Sequence, residues 1–487
     1  MWMLLAIALP MLAGGALAAW RPKDRTARQN FVVGSACLTA VCALAAVFTL
    51  RGEEPLVLLS MGEKLTIAFQ VDGLSCIFAA LVSVLWPLAS LYAVEYMSRE
   101  GSENRFFVFY LISFGVTLGI AFSANVLTMY LFYELLTLAT LPLVMHHMDG
   151  KARYAGRVYL TYSMCGAALG FIAMVLMVEH GAWFFQFGGS VTVTASKENT
   201  LRLAYILGFF GFGVKAAVFP GHKWLLRASV APTPVTALLH AVAVVKAGVF
   251  AVARITWYGF GPDLLRGSWC QYLAMGAAMF TIVYASSKAL RTKHLKRRLA
   301  WSTVSNLSYI LLGIATLTTA GLIAGMVHMV VHAVLKITLF FGVGAVHYKL
   351  HRDFLPDVEG CSVLMPVVFG TFATASLGLM GVPPLAGFAS KWLLATAAVG
   401  MGEWIGYLGA AALIVSALLT ALYLMEIVLL AFFPRQNRQL TVRVPKRARQ
   451  DPGWRMTVPL TVLSVGSVVL GLGAGVLERT VSLLLGV

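Results

Sequence analysis

Long runs of hydrophobic residues recur along the whole chain and are separated by short segments that are polar or contain glycine and proline. Many runs reach about 20 residues, the length that an α-helix needs to cross a hydrocarbon core of about 30 Å. The strands of a membrane β-barrel would instead appear as alternating segments of about 10 residues. The pattern therefore predicts an all-α integral membrane protein with about fourteen transmembrane helices.

The breaks between the hydrophobic runs give approximate limits for these spans, two of which are longer than a straight crossing needs. The predicted spans lie near residues 3–20, 31–50, 66–96, 106–123, 125–147, 156–178, 201–220, 232–256, 271–290, 301–318, 322–347, 363–398, 405–432 and 456–484.

Two of the spans, the seventh and the twelfth, contain helix-breaking residues. These are Gly211, Gly213, Pro220 and Gly221 in the seventh, and Gly381, Pro383, Pro384 and Gly387 in the twelfth. Proline removes a backbone donor and interrupts the helix. Breaks at corresponding places in two halves are typical of transporters built from inverted repeats. We therefore predict discontinuous helices 7 and 12 and two inverted five-helix repeats.

The predicted repeats divide the chain into four parts. Residues 1–105 form the three N-terminal helices, 106–256 the first repeat, 257–432 the second, and 433–487 a basic loop with helix 14. An odd number of spans in each repeat makes the second copy inverted. The repeats share little sequence beyond Lys-Trp-Leu-Leu, found at residues 223–226 and again at 391–394.

Composition supports a membrane protein, since 59% of the residues are hydrophobic, only 12% are charged and the mean hydropathy is +0.83. The net charge of +17 would fit a nucleic-acid-binding protein. That class is excluded because the basic residues lie in short loops between apolar spans. One set of alternate loops holds 25 Lys and Arg residues and the other set, with the C-terminal end, holds 7. This bias predicts a multi-pass protein of the plasma membrane with cytoplasmic basic loops, including 291–298 and 435–455, and both termini outside.

The cysteines and the remaining motifs do not indicate a cofactor. All six cysteines lie in or beside apolar segments without CxxC or Cys/His spacing, so we interpret them as small core residues. The chain contains no nucleotide-binding fingerprint and no cysteine set for an iron–sulfur cluster. We therefore expect no disulfide, no metal, no cofactor and no electron transfer by this chain alone.

Four lysines lie in the middle of predicted spans: Lys215, Lys246, Lys336 and Lys391. A charge at the bilayer centre costs about 2.5–3.5 kcal/mol on insertion scales, so each needs an explanation. Burial disfavours the ammonium form of a lysine, whereas a nearby carboxylate stabilises it. A lysine whose carboxylate neighbour changes is thus a suitable proton carrier. A fifth lysine, Lys288, is close enough to a span end to reach the interface.

Glu134, in the fifth span, is the candidate carboxylate for this chemistry. The alternative is that Glu134 and a lysine form a purely structural ion pair. Glu426 in the thirteenth span is a second buried carboxylate, for which a pathway role and a structural role both stay open.

Histidines provide candidate links between the lysines. His328, His332 and Lys336 follow each other at intervals of four residues, on one face of a helix. The two histidines could instead bind a metal or be structural core residues, but no glutamate or cysteine accompanies them as in common zinc motifs. His240 precedes Lys246 by six residues, about 120° round an α-helix. Because histidine titrates near neutrality, these residues suit a proton relay.

Taken together, these motifs resemble the antiporter-like membrane subunits shared by respiratory complex I, Mrp-type cation/proton antiporters and membrane-bound hydrogenases. The matching stretches are residues 71–75 (Val-Asp-Gly-Leu-Ser), 133–136 (Tyr-Glu-Leu-Leu), 211–220, 231–240 (Ala-Pro-Thr-Pro-Val-Thr-Ala-Leu-Leu-His) running on to 246–248 (Lys-Ala-Gly), 301–305 (Trp-Ser-Thr-Val-Ser), 332–336 (His-Ala-Val-Leu-Lys) and 381–391 (Gly-Val-Pro-Pro-Leu-Ala-Gly-Phe-Ala-Ser-Lys). They cover the third to the twelfth span in the order of the family. Residues 225–230 (Leu-Leu-Arg-Ala-Ser-Val) depart from it, since the family often has an Asp and a His there.

The resemblance implies fourteen helices, two inverted five-helix repeats and an axis of charged residues at mid-membrane. It implies that Glu134 pairs with Lys215, and that Lys246 connects to Lys391 through His332 and Lys336. It also implies that such a protein works with other membrane subunits, including related antiporter-like ones, and moves protons in response to redox chemistry or sodium exchange.

We therefore expect a proton-translocating subunit, whose pathway comprises Glu134, Lys215, His240, Lys246, His328, His332, Lys336 and Lys391. The sequence leaves open whether its complex is an Mrp-type antiporter, a hydrogenase or a relative of complex I. Two alternatives are a membrane subunit that uses a proton gradient to drive inorganic-carbon uptake and a structural subunit that does not pump. The set of buried charges argues against the latter.

Overall fold

The computed structural model of the chain describes residues 1–62, 65–434 and 449–487. These residues form a bundle of helices, of which eleven are long and apolar enough to cross a membrane. The prediction of a mostly helical membrane protein is thereby confirmed, although the chain also forms a short β-hairpin. Most of the predicted basic loop, residues 435–448, lies outside the described residues.

The first half of the bundle contains ten helices, and several begin at an aspartate or asparagine whose side chain accepts hydrogen bonds from the first turn. They are α1 (Trp2–Trp20), α2 (Arg25–Thr49), α3 (Gly73–Tyr96), α4 (Glu103–Ala121), α5 (Val126–Val144), α6 (Gly150–Glu179), α7 (Glu198–Gly213), α8 (Lys223–Ala228), α9 (Thr233–Ala237) and α10 (Val244–Arg254).

The second half, within the described residues, contains nine helices. They are α11 (Pro262–Leu265), α12 (Trp269–Arg291), α13 (Leu295–Ala315), α14 (Thr319–Leu350), α15 (Pro366–Met380), α16 (Ala386–Val399), α17 (Trp404–Phe432), α18 (Trp454–Leu472) and α19 (Ala474–Leu485). Short 3₁₀ turns occupy Met97–Arg99, Ala195–Lys197, Leu355–Val358 and Cys361–Val363. The helix α14 lies at the centre of the bundle and packs against helices of both halves, including α3, α9, α13, α15, α16 and α18.

The predicted third span was wrong at its start. Residues 65–69 form a strand, β2 (Leu65–Phe69), which pairs antiparallel with β1 (Leu56–Met61). The helix begins only at Gly73, because the Asp72 side chain accepts a hydrogen bond from the backbone N–H of Ser75 and caps it.

The predicted eighth span is not a uniform α-helix. Residues Leu238–Val242 and Ile255–Phe260 are π-helical turns on either side of α10. Wider turns of this kind are frequent at functional sites. The predicted angle of about 120° between His240 and Lys246 therefore does not apply, since it assumes regular α-helix between them.

Several of the basic loops contact one another at one end of the bundle. Arg25 and Arg28, in the first turn of α2, form ion pairs with Glu103 at the start of α4. Arg105 in α4 donates to the carbonyl oxygen of His146, after α5. The α12–α13 loop hydrogen-bonds with the segment that follows α14. These loops, which the sequence assigned to the same side of the membrane, thus lie together.

Two expectations about burial were wrong. Cys37 and Cys165 are exposed on the surface of the bundle, because helices that face lipid are apolar on their outer side as well. His146 lies at the end of the predicted fifth span (125–147), a position at which we expect contact with solvent or headgroups, but it is buried and its Nε2 lies 2.9 Å from the carbonyl oxygen of Gly101. This burial lowers the pKa of His146 to about 4.

Candidate functional site

Lys215 lies in the turn that follows the end of α7 and is completely buried. Its Nζ donates a hydrogen bond to the carbonyl oxygen of Tyr133 and lies 3.2 Å from the centre of the Tyr133 ring. The turn can pack closely against α10 because residue 248 is glycine. A Cβ there would lie 2.7 Å from the carbonyl carbon of Lys215. The glycine therefore helps to position the lysine.

Glu134, on α5, lies beside this lysine. The distance between Lys215 Nζ and Glu134 Oε1 is 3.6 Å, and the carboxylate side chain is 24% exposed. This is an ion-pair distance, longer than an ordinary hydrogen bond. The Oε1 atom is buried and has no hydrogen-bond partner in the part of the chain that the structure describes, so the carboxylate retains an acceptor site for a proton or a water molecule.

Lys246, in the first turn of α10, is fully buried and contacts the second half of the bundle directly. Its Nζ lies 2.6 Å from Nδ1 of His332 on α14. When Nζ donates to Nδ1, the imidazole proton is on Nε2, which has no hydrogen-bond partner among residues 1–62, 65–434 and 449–487. Two cationic groups this close in a buried site would repel strongly, so the pair holds at most one positive charge.

His328 connects this pair to the break between α15 and α16. The rings of His328 and His332 are stacked with their centres 6.0 Å apart. Nδ1 of His328 lies 2.9 Å from the hydroxyl of Ser390 in α16, and its ring stacks on that of Tyr309 at 5.3 Å.

Lys391 follows Ser390 in the same helix and is partly buried. Its Nζ donates to the carbonyl oxygens of Leu379 and Met380, at 2.7 and 3.0 Å, where α15 ends. Carbonyl groups at a helix C-terminus carry partial negative charge and stabilise a cation. The ring of Tyr309, which stacks on His328, also lies near Lys391, with its centre 5.8 Å from Lys391 Nζ.

Lys336 and His240 are both buried but are less directly connected. Lys336 Nζ donates to the carbonyl oxygen of Leu299 on α13, at 3.1 Å. The His240 ring packs on Phe340 with a centre distance of 5.0 Å. Neither residue forms a direct side-chain hydrogen bond with Lys246 in the described part of the chain. The structure thus forms three groups: Glu134 with Lys215, Lys246 with His332, and His328 with Lys391, which both lie against the Tyr309 ring.

Sequence reasoning missed several residues of these groups. Tyr133 and Ser390 each precede a candidate residue, Glu134 and Lys391, and lie in the stretches 133–136 and 381–391 that resemble the family, which were the signals available. His222 was also missed. It is buried, its ring nitrogens have no hydrogen-bond partner among the described residues, and it packs among aromatic rings beside the α7–α8 break.

Glu426 is not the buried carboxylate that the sequence suggested. Its side chain is 45% exposed and Oε2 accepts a hydrogen bond of 2.8 Å from Arg298. The apolar run around it fills a helix whose surface is partly exposed, so hydrophobicity alone overstated its burial. The geometry supports the structural interpretation of this residue.

In each of the two histidines of α14, one ring nitrogen already has a protein contact. Nδ1 of His332 faces the Lys246 ammonium, and Nδ1 of His328 faces a serine hydroxyl. Within the described residues, no group of three His, Cys, Asp or Glu side chains could hold a metal ion.

Comparison with known proteins identifies the family of this chain. Residues 123–420 match the family described as NADH:quinone oxidoreductase/Mrp antiporter, TM. The chain belongs to this family. Residues 59–107 also match the family described as NADH-Ubiquinone oxidoreductase (complex I), chain 5 N-terminus. The resemblance of the motifs to antiporter-like subunits is therefore confirmed.

Two curated relatives have names that refer to different complexes. NADH-quinone oxidoreductase subunit L of Mycobacterium tuberculosis is 30% identical over 415 residues, which cover 84% of this chain and 63% of the relative. A Na(+)/H(+) antiporter subunit of Alkalihalophilus pseudofirmus is 32% identical over 357 residues, covering 69% of this chain and 43% of the relative. The chain spans less than two thirds of the length of both relatives.

Two solved structures have the same fold. The membrane-bound sulfane sulfur reductase, an archaeal respiratory membrane complex, matches with a TM-score of 0.83 at 21% identity. The Mrp complex from Dietzia sp. matches with a TM-score of 0.84 at 23% identity. Each match covers 99% of this chain and 96% of the compared chain.

Proposed function

We propose that this chain is a proton-translocating membrane subunit of a multisubunit complex, and that the three groups of the candidate site carry the protons. The contact between Lys246 and His332 is the observation on which the proposal chiefly rests, since it joins a buried base of the first half to one of the second half. A structural role alone does not require titratable groups on both sides of a buried contact, because apolar residues pack there at lower cost.

The chemistry of the three groups suits stepwise transfer. When Lys215 is paired with Glu134, its ammonium form is stabilised and the proton stays there. When that pairing is lost, the buried ammonium of Lys215 is no longer stabilised by a carboxylate. Its proton then moves toward an uncharged base. The neutral imidazole of His332 beside Lys246 is such a base, and the His328 ring continues the row toward Lys391. Water molecules complete the steps between groups.

The proposed architecture has fourteen crossings in two inverted five-helix repeats, with the four parts divided as the sequence suggested. Eleven helical segments are long and apolar enough to cross, when the continuous stretch Thr233–Phe260, which contains α9 and α10, is counted as one. The α7–α8 pair, α13 and the α15–α16 pair supply the other three. Lys215 lies at the break of one helix pair and Lys391 after the break of the other, which supports an equivalent role in the two repeats.

We propose that the chain lies in the plasma membrane with its basic loops in the cytoplasm and both termini outside. The excess of basic residues in alternate loops and the contacts between those loops support this orientation. The proposed partners are further membrane subunits, including antiporter-like relatives, since one relative is named as part of an NADH-quinone oxidoreductase and the other as part of a Na(+)/H(+) antiporter. Sodium is a proposed counter-ion on the same basis.

The test is proton translocation by the complex purified through a tag on this chain. The complex is reconstituted in liposomes with a pH-sensitive dye inside and is energised by its own substrate or by a sodium gradient. A variant with Lys215, Lys246 and Lys391 all changed to Met is expected to assemble and to lose proton movement. Lys288→Met is the matched control, because Lys288 is exposed and its Nζ lies over the Tyr284 ring near a helix end. Normal translocation by the triple variant would refute the proposal.

A further inference from the structure

A cavity of about 520 Å³ lies between the end of α1 and the start of α4 and takes no part in the proton path. Its walls include two arginines, Arg21 and Arg105, and the apolar residues Ala18, Val108 and Phe109. None of its lining residues is acidic. The cavity therefore combines a positive end with an apolar wall.

The helices fix both arginines at the positive end. Arg21 caps α1 with left-handed backbone geometry, and its Nε donates to the carbonyl oxygen of Ala18 at 3.2 Å. Arg105 donates to the carbonyl oxygen of His146, and within the described residues its Nε is buried without a hydrogen-bond partner. Because each guanidinium group already donates to a carbonyl oxygen, both side chains are partly ordered before an anion binds.

The carboxylate of Glu103, two residues before Arg105, does not neutralise these charges. Glu103 is taken by Arg25 and Arg28, which lie close to both of its oxygens. In the described part of the chain, Arg21 and Arg105 make no ion pair of their own. Two arginine side chains that line one cavity and have no carboxylate partner attract a negative charge, so an external anion would stabilise the site.

The position of the cavity indicates the source of the anion. Trp20, next to Arg21, is 57% exposed, and tryptophan in this position is typical of the boundary between headgroups and hydrocarbon. Val108 and Phe109 lie one turn further into α4 than Arg105, so the apolar wall of the cavity is on the side of the bilayer interior. Basic pockets between transmembrane helices on the side of the basic loops bind anionic headgroups.

We propose that this cavity binds one anionic phospholipid, with its phosphate between Arg21 and Arg105 and an acyl chain along Val108 and Phe109. Both guanidinium groups donate hydrogen bonds to phosphate oxygens. Since Arg105 also holds the loop after α5, the lipid ties together α1, α4 and that loop. This binding does not depend on proton translocation.

The test measures lipid retention by the purified complex. The complex is released from nanodiscs of phosphatidylglycerol and phosphatidylcholine, and the lipids that stay bound are counted by native mass spectrometry. The wild type is expected to retain phosphatidylglycerol over phosphatidylcholine. Arg21→Gln is expected to lower that retention about fivefold, and Arg21→Gln with Arg105→Gln more strongly. Arg153→Gln, an exposed arginine outside the cavity, is the control and should retain the lipid.

Two further measurements keep the outcome unambiguous. Since Arg105 also supports a loop, thermal melting identifies a double variant that is misfolded, and Arg21→Gln alone then decides. Excess inorganic phosphate should leave the lipid bound. Displacement by phosphate would show a free-anion site, and equal retention of both lipids or unchanged retention by Arg21→Gln would overturn the proposal.

Discussion

Lys246 Nζ and His332 Nδ1 lie 2.6 Å apart in a fully buried position, so that a lysine of α10 contacts a histidine of α14 without an intervening group. Neither residue has a carboxylate within ion-pair distance in the described part of the chain. The positive charge at this contact therefore depends on a single shared proton.

Glu134 and Lys215 are expected to act as one unit. Glu134→Gln and Lys215→Met should each reduce proton translocation by about tenfold or more, while the complex still assembles. The double variant should be no worse than the more severe single variant, because either substitution already removes the pair. The measurement is a double-mutant cycle on initial rates of translocation. Additive losses, with no interaction term, would show that the two residues act independently.

Lys391→Arg is expected to preserve the fold and to abolish turnover. An arginine can still donate to the carbonyl oxygens of Leu379 and Met380, but it releases no proton at any accessible pH. Size-exclusion and melting profiles should match those of the wild type while translocation is lost. If the lysine served only to hold the end of α15, the arginine variant would pump at nearly the normal rate.

Gly248→Ala is expected to impair both stability and transport, because its Cβ would collide with the backbone of the Lys215 turn. Overpacking of this kind costs about 1–3 kcal/mol and would move Lys215 away from Glu134. Gly276→Ala, in α12, is the matched control, since a Cβ there meets nothing within 4 Å. A wild-type melting temperature and rate for Gly248→Ala would contradict the positioning role of this glycine.

The orientation can be tested with reporter fusions. A reporter at residue 295, in the loop with the 291–298 basic cluster, should report the cytoplasm, and one at residue 200 should report the outside. Labelling of a cysteine placed in the 291–298 loop by an impermeant external reagent would overturn this topology.

The sequence predicted the membrane class and many of the site residues because a charge inside a long apolar run is conspicuous. Proximity across helices was harder to predict. The pairing of Glu134 with Lys215 was implied only by family resemblance, and the contact of His328 with Ser390 was not anticipated, since it depends on how α14 packs against α16. Tertiary packing of this kind leaves no periodic pattern in one sequence.

Other features were missed for different physical reasons. The strand Leu65–Phe69 merges with the apolar run of α3, so length alone made it look like part of a helix. The π-helical turn Leu238–Val242 has the same residue types as an α-helix and differs only in its hydrogen bonds. Cys165 was misplaced because the lipid-facing and inward-facing sides of a membrane helix are both apolar.

The most direct test of the central claim is the number of protons moved per turnover of the driving reaction in the complex that carries His332→Asn. The asparagine keeps a polar group beside Lys246 but cannot take up a proton. We expect the His332→Asn complex to assemble. The number of protons moved per turnover should fall by the number that this chain contributes, while the Lys288→Met control should move the full number. An unchanged count for His332→Asn would contradict the account.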